Sequence, residues 1–570
     1  MNKVIFCTSL ILLSCFNAIA QGFYPNPILI GSSKNAKAHY PLHKSKLSVN
    51  EEINGVLFLH TANPALPNLN DNVLVFDYSV DNGHTWSSNV GPIMSGQANN
   101  TYPNFFQGYI YNPIGNTNTN NARAIALSAF NNQQNNTWSE IKSANSKLDG
   151  SINKESFLPI NTQAIPKTLV EKIPGEYWAL MNENASSDIS LFKAVYSVSR
   201  DSLTWTSIAL FNVDSLFHTL DDSLKQFEYS MGFSPDGNTA WIAINGDLIN
   251  DTVNRVKSVF WKSSDAGNIW SEEMIVDVLE LNSMKNEFGN SNIAFGKESS
   301  LVVDALGNPH FVFTIGNAAP NHLEILPDDK LGLYDLTFKN NEWTALKITS
   351  LNSYTNKPFF NSNIILENSP SVSRTTNGYT LFYTWTDTRI DNQTVPYSND
   401  FPDMFMEINF LEFNTFWGNM NLTLNSEIEA IVRMPSVATI VSDIGQFWKL
   451  HVVNSEFTMD VNEPLNHYYL DNLEILKPGG IEQNKSIVQM SNNYPNPFNR
   501  ESHVDITLKK NAKAQLKIRN MYGQLLQSNE YYLESGTHTL KLDASGLVNG
   551  IYIYSVEVDG YTLSKKMIVE

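Results

Sequence analysis

Cysteine is nearly missing from this chain. Its 570 residues include two, Cys7 and Cys15, both in the apolar N-terminal stretch. Once that stretch is removed, the remainder has no disulfide, no thiol nucleophile and no thiolate metal site. Charge is also scarce: 17% of residues are Asp, Glu, Lys or Arg, against about 25% in typical globular proteins. Basic residues are the scarcer kind, 38 against 57 acids, giving a formal charge of −19. Such an acidic chain is unsuited to nucleic acid or an anionic membrane. Beyond the N-terminus no apolar run is long enough for a transmembrane helix. Only Val213 to Phe227 offers apolar residues at helical spacing. H-E-x-x-H, G-x-x-x-x-G-K-[ST] and a dinucleotide fingerprint do not occur. The nearest approach to a nucleophile elbow, Gly232-Phe233-Ser234-Pro235-Asp236-Gly237, places its second glycine one residue late.

What is present begins with a leader. Lys3 precedes an apolar run from Val4 to Phe16, and Ala18-Ile19-Ala20 precedes Gln21. This reads as a secretory signal over 1–20 cleaved between Ala20 and Gln21. Leu12-Leu13-Ser14-Cys15 is the competing lipoprotein reading, which Leu13 fits poorly. Cleavage removes one positive charge and no acid, so the mature chain is slightly more acidic. A secreted chain without disulfides relies on a large packed core, and this one is long enough to have one.

The C-terminal stretch alternates apolar and polar residues in short runs: Val504 to Leu508, Ala514 to Ile518, Leu540 to Leu542, Ile551 to Tyr554 and Leu563 to Val569. Gly523, Gly536, Gly550 and Gly560 punctuate them. About seven short strands in so few residues predict a small Ig-like β-sandwich over 494–570. The stretch opens with Tyr494-Pro495-Asn496-Pro497-Phe498-Asn499, continues through Met521-Tyr522-Gly523-Gln524, Gly536-Thr537-His538 and Leu547 to Tyr552, and closes with Lys565-Lys566-Met567. In that ordered set it resembles the type A C-terminal sorting domain of type IX secretion cargo. The resemblance implies passage through the periplasm, recognition by the type IX machinery at the outer membrane, and a secreted or surface-attached product. It implies nothing about the remaining chain.

Residues 21–475 read as short strands and turns, and 476–493, with Pro478-Gly479-Gly480, as a linker. Two segments share S-x-D-x-G-x-x-W: Ser79, Asp81, Gly83 and Trp86, and Ser263, Asp265, Gly267 and Trp270. They resemble the Asp box of sialidase-type β-propellers. The carboxylate accepts backbone N–H groups within a hairpin, the glycine permits the turn, and the tryptophan anchors it. These residues are therefore read as structural. Weaker copies end in Trp138, Trp205, Trp343 and Trp417, with Tyr469-Leu470-Asp471-Asn472 as a seventh. Their spacing predicts an all-β chain with a seven-bladed propeller, six or eight blades being the alternatives.

The sialidase likeness implies three arginines on a substrate carboxylate, a tyrosine nucleophile with a glutamate, and an aspartate acid/base. The propeller region has Arg123, Arg200, Arg255, Arg374, Arg389 and Arg433, in no matching pattern, and Arg433-Met434-Pro435-Ser436 reads as the start of an inner strand. No catalytic, cofactor-binding or metal residue is assigned. The acids Asp328 and Asp329, and Asp387, Asp391, Asp400 and Asp403, admit calcium but lack a ligand register such as an EF-hand's. The histidines show no pair at metal spacing. The leading expectation is a non-catalytic binding or structural propeller for a glycan, peptide or protein ligand. A sialidase-like glycosidase or other hydrolase and an adhesin-like surface protein are the alternatives. In a propeller the loops from Thr61 to Asp71, Asn317 to Asp329 and Thr386 to Asp403 share one face, opposite the Asp boxes. Arg389 and Tyr397 are the candidate ligand-side residues, offering a guanidinium fork and an aromatic surface.

Overall fold

The structure, a computed structural model, describes residues 25–35, 46–96, 101–477 and 488–570, save 68, 71, 133–136, 159–163, 184–187, 214–215, 218–228, 249–255, 290, 321–323, 356–366, 414, 457–461, 492, 509–510, 521–524 and 559–560. The expected cleavage residues Ala20 and Gln21, Arg255, Gly523 and most of the expected helix lie outside these. The chain divides into two compact units between Pro478 and Gly479.

The first unit is all-β and follows one plan. After β1 (Asn26–Ser33), sheet I is the antiparallel meander β2 (Leu47–Asn50), β3 (Gly55–Thr61), β4 (Val73–Ser79) and β5 (Ser87–Ser95). Sheet II is β6 (Thr101–Tyr111), β7 (Arg123–Asn132), β8 (Thr137–Lys147) and β9 (Asn153–Phe157). Sheet III is β10 (Ala164–Ile173), β11 (Glu176–Glu183), β12 (Ile189–Ser197) and β13 (Ser202–Phe211). Sheet IV is β14 (Tyr229–Phe233), β15 (Ala240–Asp247), β16 (Val256–Ser263) and β17 (Met274–Val276). A short helix, α1 (Asn282–Phe288), follows and buries Met284 and Phe288. Sheet V is β18 (Ile293–Val303), β19 (Pro309–Ala318), the two-residue β20 (Ile325–Leu326), β21 (Gly332–Lys339) and β22 (Glu342–Ser350). Sheet VI is β23 (Ser371–Thr375), β24 (Thr380–Asp387), β25 (Asp403–Phe410) and β26 (Thr415–Asn421).

Sheet VII is broken into two ladders. β27 (Pro435–Val437), β30 (Val452–Glu456) and β31 (Leu465–Asp471) form one; β28 (Ile440–Ile444), β29 (Phe447–Lys449) and β32 (Glu474–Leu476) form the other, which also continues sheet VI through a parallel pairing of β28 with β23. The fourth strand of the first ladder is β1, which pairs with β31 from Asn26↔Asp471 to Ser33↔Leu465. The first strands neighbour one another in chain order from β2 to β23, and β28 lies beside both β23 and β2. This is a propeller-like ring of sheets.

The second strands of sheets IV, V and VI show why such sheets stack. Trp241 to Ile244, Phe311 to Phe313 and Leu381 to Tyr383 are buried without alternation, because both faces of each strand are covered. Each gap between neighbouring sheets holds one apolar core. Leu59, Phe76, Ile110 and Phe130 join sheets I and II, and Trp241, Phe260, Phe311 and Phe313 join IV and V. The gap between VII and I is filled in the same way by Ile30, Val56, Phe58, Val453 and Tyr469.

The two S-x-D-x-G-x-x-W turns both connect a third to a fourth strand. Asp81 Oδ1 accepts from the Ser79 hydroxyl (2.7 Å) and the Thr85 N–H (2.9 Å). Ser79 Oγ accepts from Gly83 N–H (2.8 Å), and Trp86 Nε1 donates to the Gly83 carbonyl (2.8 Å). Asp265, Ser263, Gly267 and Trp270 repeat the pattern. Gly83 has φ +92°, and a Cβ there would stand 2.3 Å from the Tyr469 ring. The turn of sheet I therefore seats on β31 of sheet VII.

Not every weaker copy behaves alike. Trp205, Trp343 and Trp417 lie just beyond third-to-fourth turns, but Trp138 opens a third strand, so its turn is on the other edge of sheet II. Tyr469 to Asn472 is not a turn of that kind: Tyr469 to Asp471 end β31, and Asn472, at φ +66°, turns the chain into β32, while the outer strand paired with β31 comes from the N-terminus.

In the second unit, β33 (Val488–Met490), β34 (Glu501–Leu508) and β37 (Gly536–Asp543) form one sheet; β35 (Ala512–Asn520), β36 (Leu525–Leu533), β38 (Gly550–Val558) and β39 (Tyr561–Val569) form the other. Composition assigns 488–490 to the linker, yet they pair with β34. Val504, Ile506, Leu540 and Leu542 of one sheet share a core with Leu516, Ile518, Tyr554 and Val556 of the other. Phe498 is buried in that core, its N–H donates to Ile568 (3.1 Å), and its carbonyl accepts from Glu570 (2.8 Å). Asn496 Oδ1 accepts from the Ile568 N–H (2.9 Å). The opening motif is thus tied to the closing strand, where Met567 is buried beside exposed Lys566 and half-buried Lys565.

Gly83→Ala should lower stability by roughly 1–3 kcal/mol from the left-handed backbone alone, with a further loss from the overlap with Tyr469. Urea unfolding of the first unit that matches the wild type would show that this turn does not seat on β31.

Candidate functional site

Alternating strand direction gives each sheet two edges. At one, the Ala266 N–H of a third-to-fourth turn donates to Asn238 O of a first-to-second turn (2.8 Å), and Asn82 does the same with Asn54 (2.9 Å). The other edge carries the second-to-third connections and the links between sheets. There the Tyr354 N–H, from the V–VI link, donates to Tyr397 O (2.9 Å). Residues 62–72, 319–331 and 388–402 join second to third strands in sheets I, V and VI.

Arg389 stands in the last of these loops. Its Nη2 donates to Glu429 Oε1 at 2.8 Å, and its Nε is 3.4 Å from Asp403 Oδ2. Asp403 is fully buried and also accepts from Thr423 Oγ1 (3.1 Å), the Ala430 N–H (2.8 Å) and Asn421 Nδ2 (3.0 Å). The guanidinium fork is therefore engaged by the chain's own carboxylates. Tyr397 is half-buried with φ +64°. Its N–H donates to Gln393 Oε1 (3.0 Å). Arg433 Nη2 donates to Asp400 O (3.0 Å) in the same loop. Arg123 pairs with Asp201 (3.3 Å), and Arg374 Nη1 donates to Thr375 O (3.1 Å).

Between sheets V and VI lies a buried network that no sequence motif marks. Asp387 accepts from Ser353 Oγ (2.5 Å) and from Asn352 N–H (2.9 Å) and Nδ2 (3.0 Å). Burial pushes its carboxyl up to about 6, against the pull of those bonds. Glu367 accepts from Tyr354 Oη (3.0 Å) and from the N–H groups of Lys297 (2.8 Å) and Glu298 (3.2 Å). Burial pushes it up to about 7. The two backbone donors are released by an irregularity in β18, where pairing with β19 skips from Phe295 to Ser299. Among the described residues no three or more His, Cys, Asp or Glu side chains gather as a metal site.

Two more first strands slip. β6 loses register between Asn104 and Gln107, with Phe105 at φ +52°, and β10 between Pro166 and Thr168, leaving Lys167 as the extra residue. Lys167 Nζ lies 5.7 Å from the Phe105 ring centre and 5.6 Å from that of Tyr229, the first residue of β14. Asn182 Nδ2 donates to Tyr229 Oη (3.3 Å). Gln107 is buried with neither side-chain polar atom hydrogen-bonded. The sequence signal for this group is faint: Phe105-Phe106 interrupts alternation in β6.

The raised Glu367 sets a pH dependence. Its folded pKa, about 7, exceeds its ordinary 4.5. Its contribution to stability is full below pH 4.5 and is lost as pH rises through 7. Glu367→Gln keeps the bonding shape and removes the titration, so urea unfolding should show the wild type losing stability relative to the variant over that window. Parallel curves from pH 4 to 8 would contradict this.

Residues 492–570 match the family model described as a secretion system C-terminal sorting domain. No curated protein matches the chain. Similar solved structures include the endosialidase of phage phi92, at 11% identity over 83% of this chain and 72% of that one, TM-score 0.37. The β-propeller domain of the trilobed protease from Pyrococcus furiosus has 9% identity over 67% of this chain and 86% of that one, TM-score 0.31. An oligogalacturonate lyase in complex with manganese has 8% identity over 80% and 98%, TM-score 0.35. Likeness this weak carries no functional argument. The chain carries a type IX secretion sorting tail, and is on that ground a protein exported from the cell, to be secreted or attached to its surface.

Proposed function

We propose that this is a type IX cargo whose first unit is a seven-bladed β-propeller acting as a non-catalytic binding module, with a C-terminal Ig-like sandwich as its export signal. Sheets I to VII are the blades, and the S-x-D-x-G-x-x-W turns are structural Asp boxes. Ligand binds at the edge carrying the second-to-third loops. One observation carries the non-catalytic reading: the ionisable groups named at that edge are bonded to the scaffold. Arg389 holds Asp403 and Glu429, Asp387 takes Asn352 and Ser353, and Glu367 takes Tyr354 and two backbone donors. Groups so used set loop positions and are poorly placed to shuttle protons or grip a substrate.

Two measurements test this reading. The full mature chain, applied to glycan and peptide arrays with hydrolysis followed in parallel, should bind without cleaving. Cleavage abolished by Glu367→Gln or Arg389→Ala in a variant that stays folded would replace it with the hydrolase. Deleting 494–570 should leave the propeller folded in the periplasm; normal amounts in the medium would remove the sandwich from export.

A further inference from the structure

We infer that the loop from β24 to β25, with the link that follows β26, forms a docking surface for a polypeptide segment whose aliphatic side chains are flanked by lysine or arginine. The inference rests on the binding reading above and names its ligand class. Four large apolar side chains stand open here: Ile390 is 74% exposed, Val395 61%, Phe401 37% and Leu424 37%. Apolar residues scattered singly over a surface mean little, but several on one block mark an interaction site. The block is continuous. Asp403 joins Arg389 to Asn421, Thr423 and Ala430. The Val432 N–H donates to Pro402 O (3.0 Å), and the Asn425 N–H to Glu429 Oε2 (2.8 Å), whose other oxygen takes Arg389. Ile390, Phe401 and Leu424 are chain neighbours of Arg389, Pro402 and Thr423 in that network. Thr394 Oγ1 donates to the Asp400 carboxylate, which draws the Val395 tip of the loop beside Phe401.

The loop is also held from beneath. Gln393 Nε2 donates to Asn352 O (2.7 Å), Asn399 Nδ2 to Glu367 O (3.0 Å) and the Phe401 N–H to Thr388 Oγ1 (3.1 Å). The open side chains are therefore set in place before a partner arrives, and little ordering entropy opposes binding. Charge then selects the partner. Residues 388–403 and 421–433 carry five acids and two arginines. Both arginines are engaged within the block, Arg389 by Asp403 and Glu429 and Arg433 by Asp400 O. Asp391, Asp400 and Glu427 are exposed, Asp391 standing 3.8 Å from Arg389 Nε. An apolar surface fringed by acids complements a partner with basic residues beside its apolar ones and repels an anionic lipid surface. Ile390 and Val395, the most open members, are aliphatic and present no ring face to a pyranose, which favours a peptide over a glycan.

The test is binding of the full mature chain to short labelled peptides of alternating Lys and Leu, Lys and Ser, or Glu and Leu, and to neutral laminarin oligosaccharides, by fluorescence anisotropy at low and high salt. The Lys–Leu peptide should bind most tightly and weaken with salt. Ile390→Ser combined with Val395→Ser should weaken it about tenfold or more, which the burial of one aliphatic side chain is worth. Leu306→Ser, at a 67% exposed position in a first-to-second turn on the opposite edge, should leave it unaltered. Urea unfolding confirms that the variants are folded; if the paired change is not, Leu424→Ser alone should still cut affinity. Lys–Leu binding that survives the paired change, or that Leu306→Ser lowers equally, overturns the surface. Equal binding of the Lys–Ser or the Glu–Leu peptide overturns the apolar or the charge match. Laminarin binding lost with the paired change overturns the polypeptide class and leaves the binding reading standing. Dimers in sedimentation that the paired change abolishes give the surface to a second copy of the chain and overturn the proposal. If no probe binds while another ligand is found on the arrays, this surface falls alone; if every array is blank, the binding reading falls with it.

Discussion

The pairing of β1 with β31 is the constraint on which the first unit depends. It joins residues 26–33 to 465–471 and supplies the first ladder of sheet VII with its fourth strand. The closure is reinforced by polar groups that are wholly buried. Ser33 Oγ bonds His467 Nε2 (2.8 Å), Ser455 Oγ bonds His467 Nδ1 (2.8 Å), and His60 Nε2 stands 3.1 Å from Asp77 Oδ2. Burial holds His467 far below its ordinary pKa, with His60 and Lys46 adding to the effect. A neutral imidazole can donate with one nitrogen and accept with the other, which suits a ring wedged between two hydroxyls. Gly31 leaves room for the Asp77 carboxylate, which a Cβ would meet at 2.3 Å. The N-terminal strand, sheet I and sheet VII are thereby fitted to one another.

Buried charge elsewhere follows the same economy. His310 bonds Asp335 (2.7 Å) and lies 3.5 Å from Asp304, while Tyr383 donates to Asp335 (2.7 Å). Burial alone would lower the histidine's pKa, but the two carboxylates outweigh it and raise it to about 9. Removing one partner would strand another in a low-dielectric interior, so such groups belong to the scaffold. The loop edge is built likewise, through Arg389, Asp387 and Glu367.

The second unit shows why a sorting signal of separate short motifs behaves as one object. Phe498 enters the core and bonds the last strand through both its backbone groups, while Asn496 caps the same strand. Tyr494 Oη reaches both carboxylate oxygens of Asp505 at 3.0 Å. The first and last motifs, distant in sequence, lie side by side in space, where Phe498 bridges to Val569 of β39.

Alternation of apolar and polar residues sufficed for the all-β class, and the ordered C-terminal motifs, through their resemblance, for the secretion tail. Each is a local property: alternation reports a half-buried strand, and S-x-D-x-G-x-x-W closes its bonds within a few residues. Five of the six tryptophan marks fall at third-to-fourth turns for the same reason. The failures were non-local. Trp138 and Tyr469 read as turns of the same kind until strand pairing shows one opening a third strand and the other lying in β31, covered by the third-to-fourth turn of sheet I. Arg389 looked available because its partners, Asp403 and Glu429, are brought beside it by different segments. Val488 to Met490 became a strand only against β34. Register is decided between strands, so the slips at Phe105, Lys167 and Glu298, and the meeting of the first two with Tyr229, belonged to the tertiary structure alone.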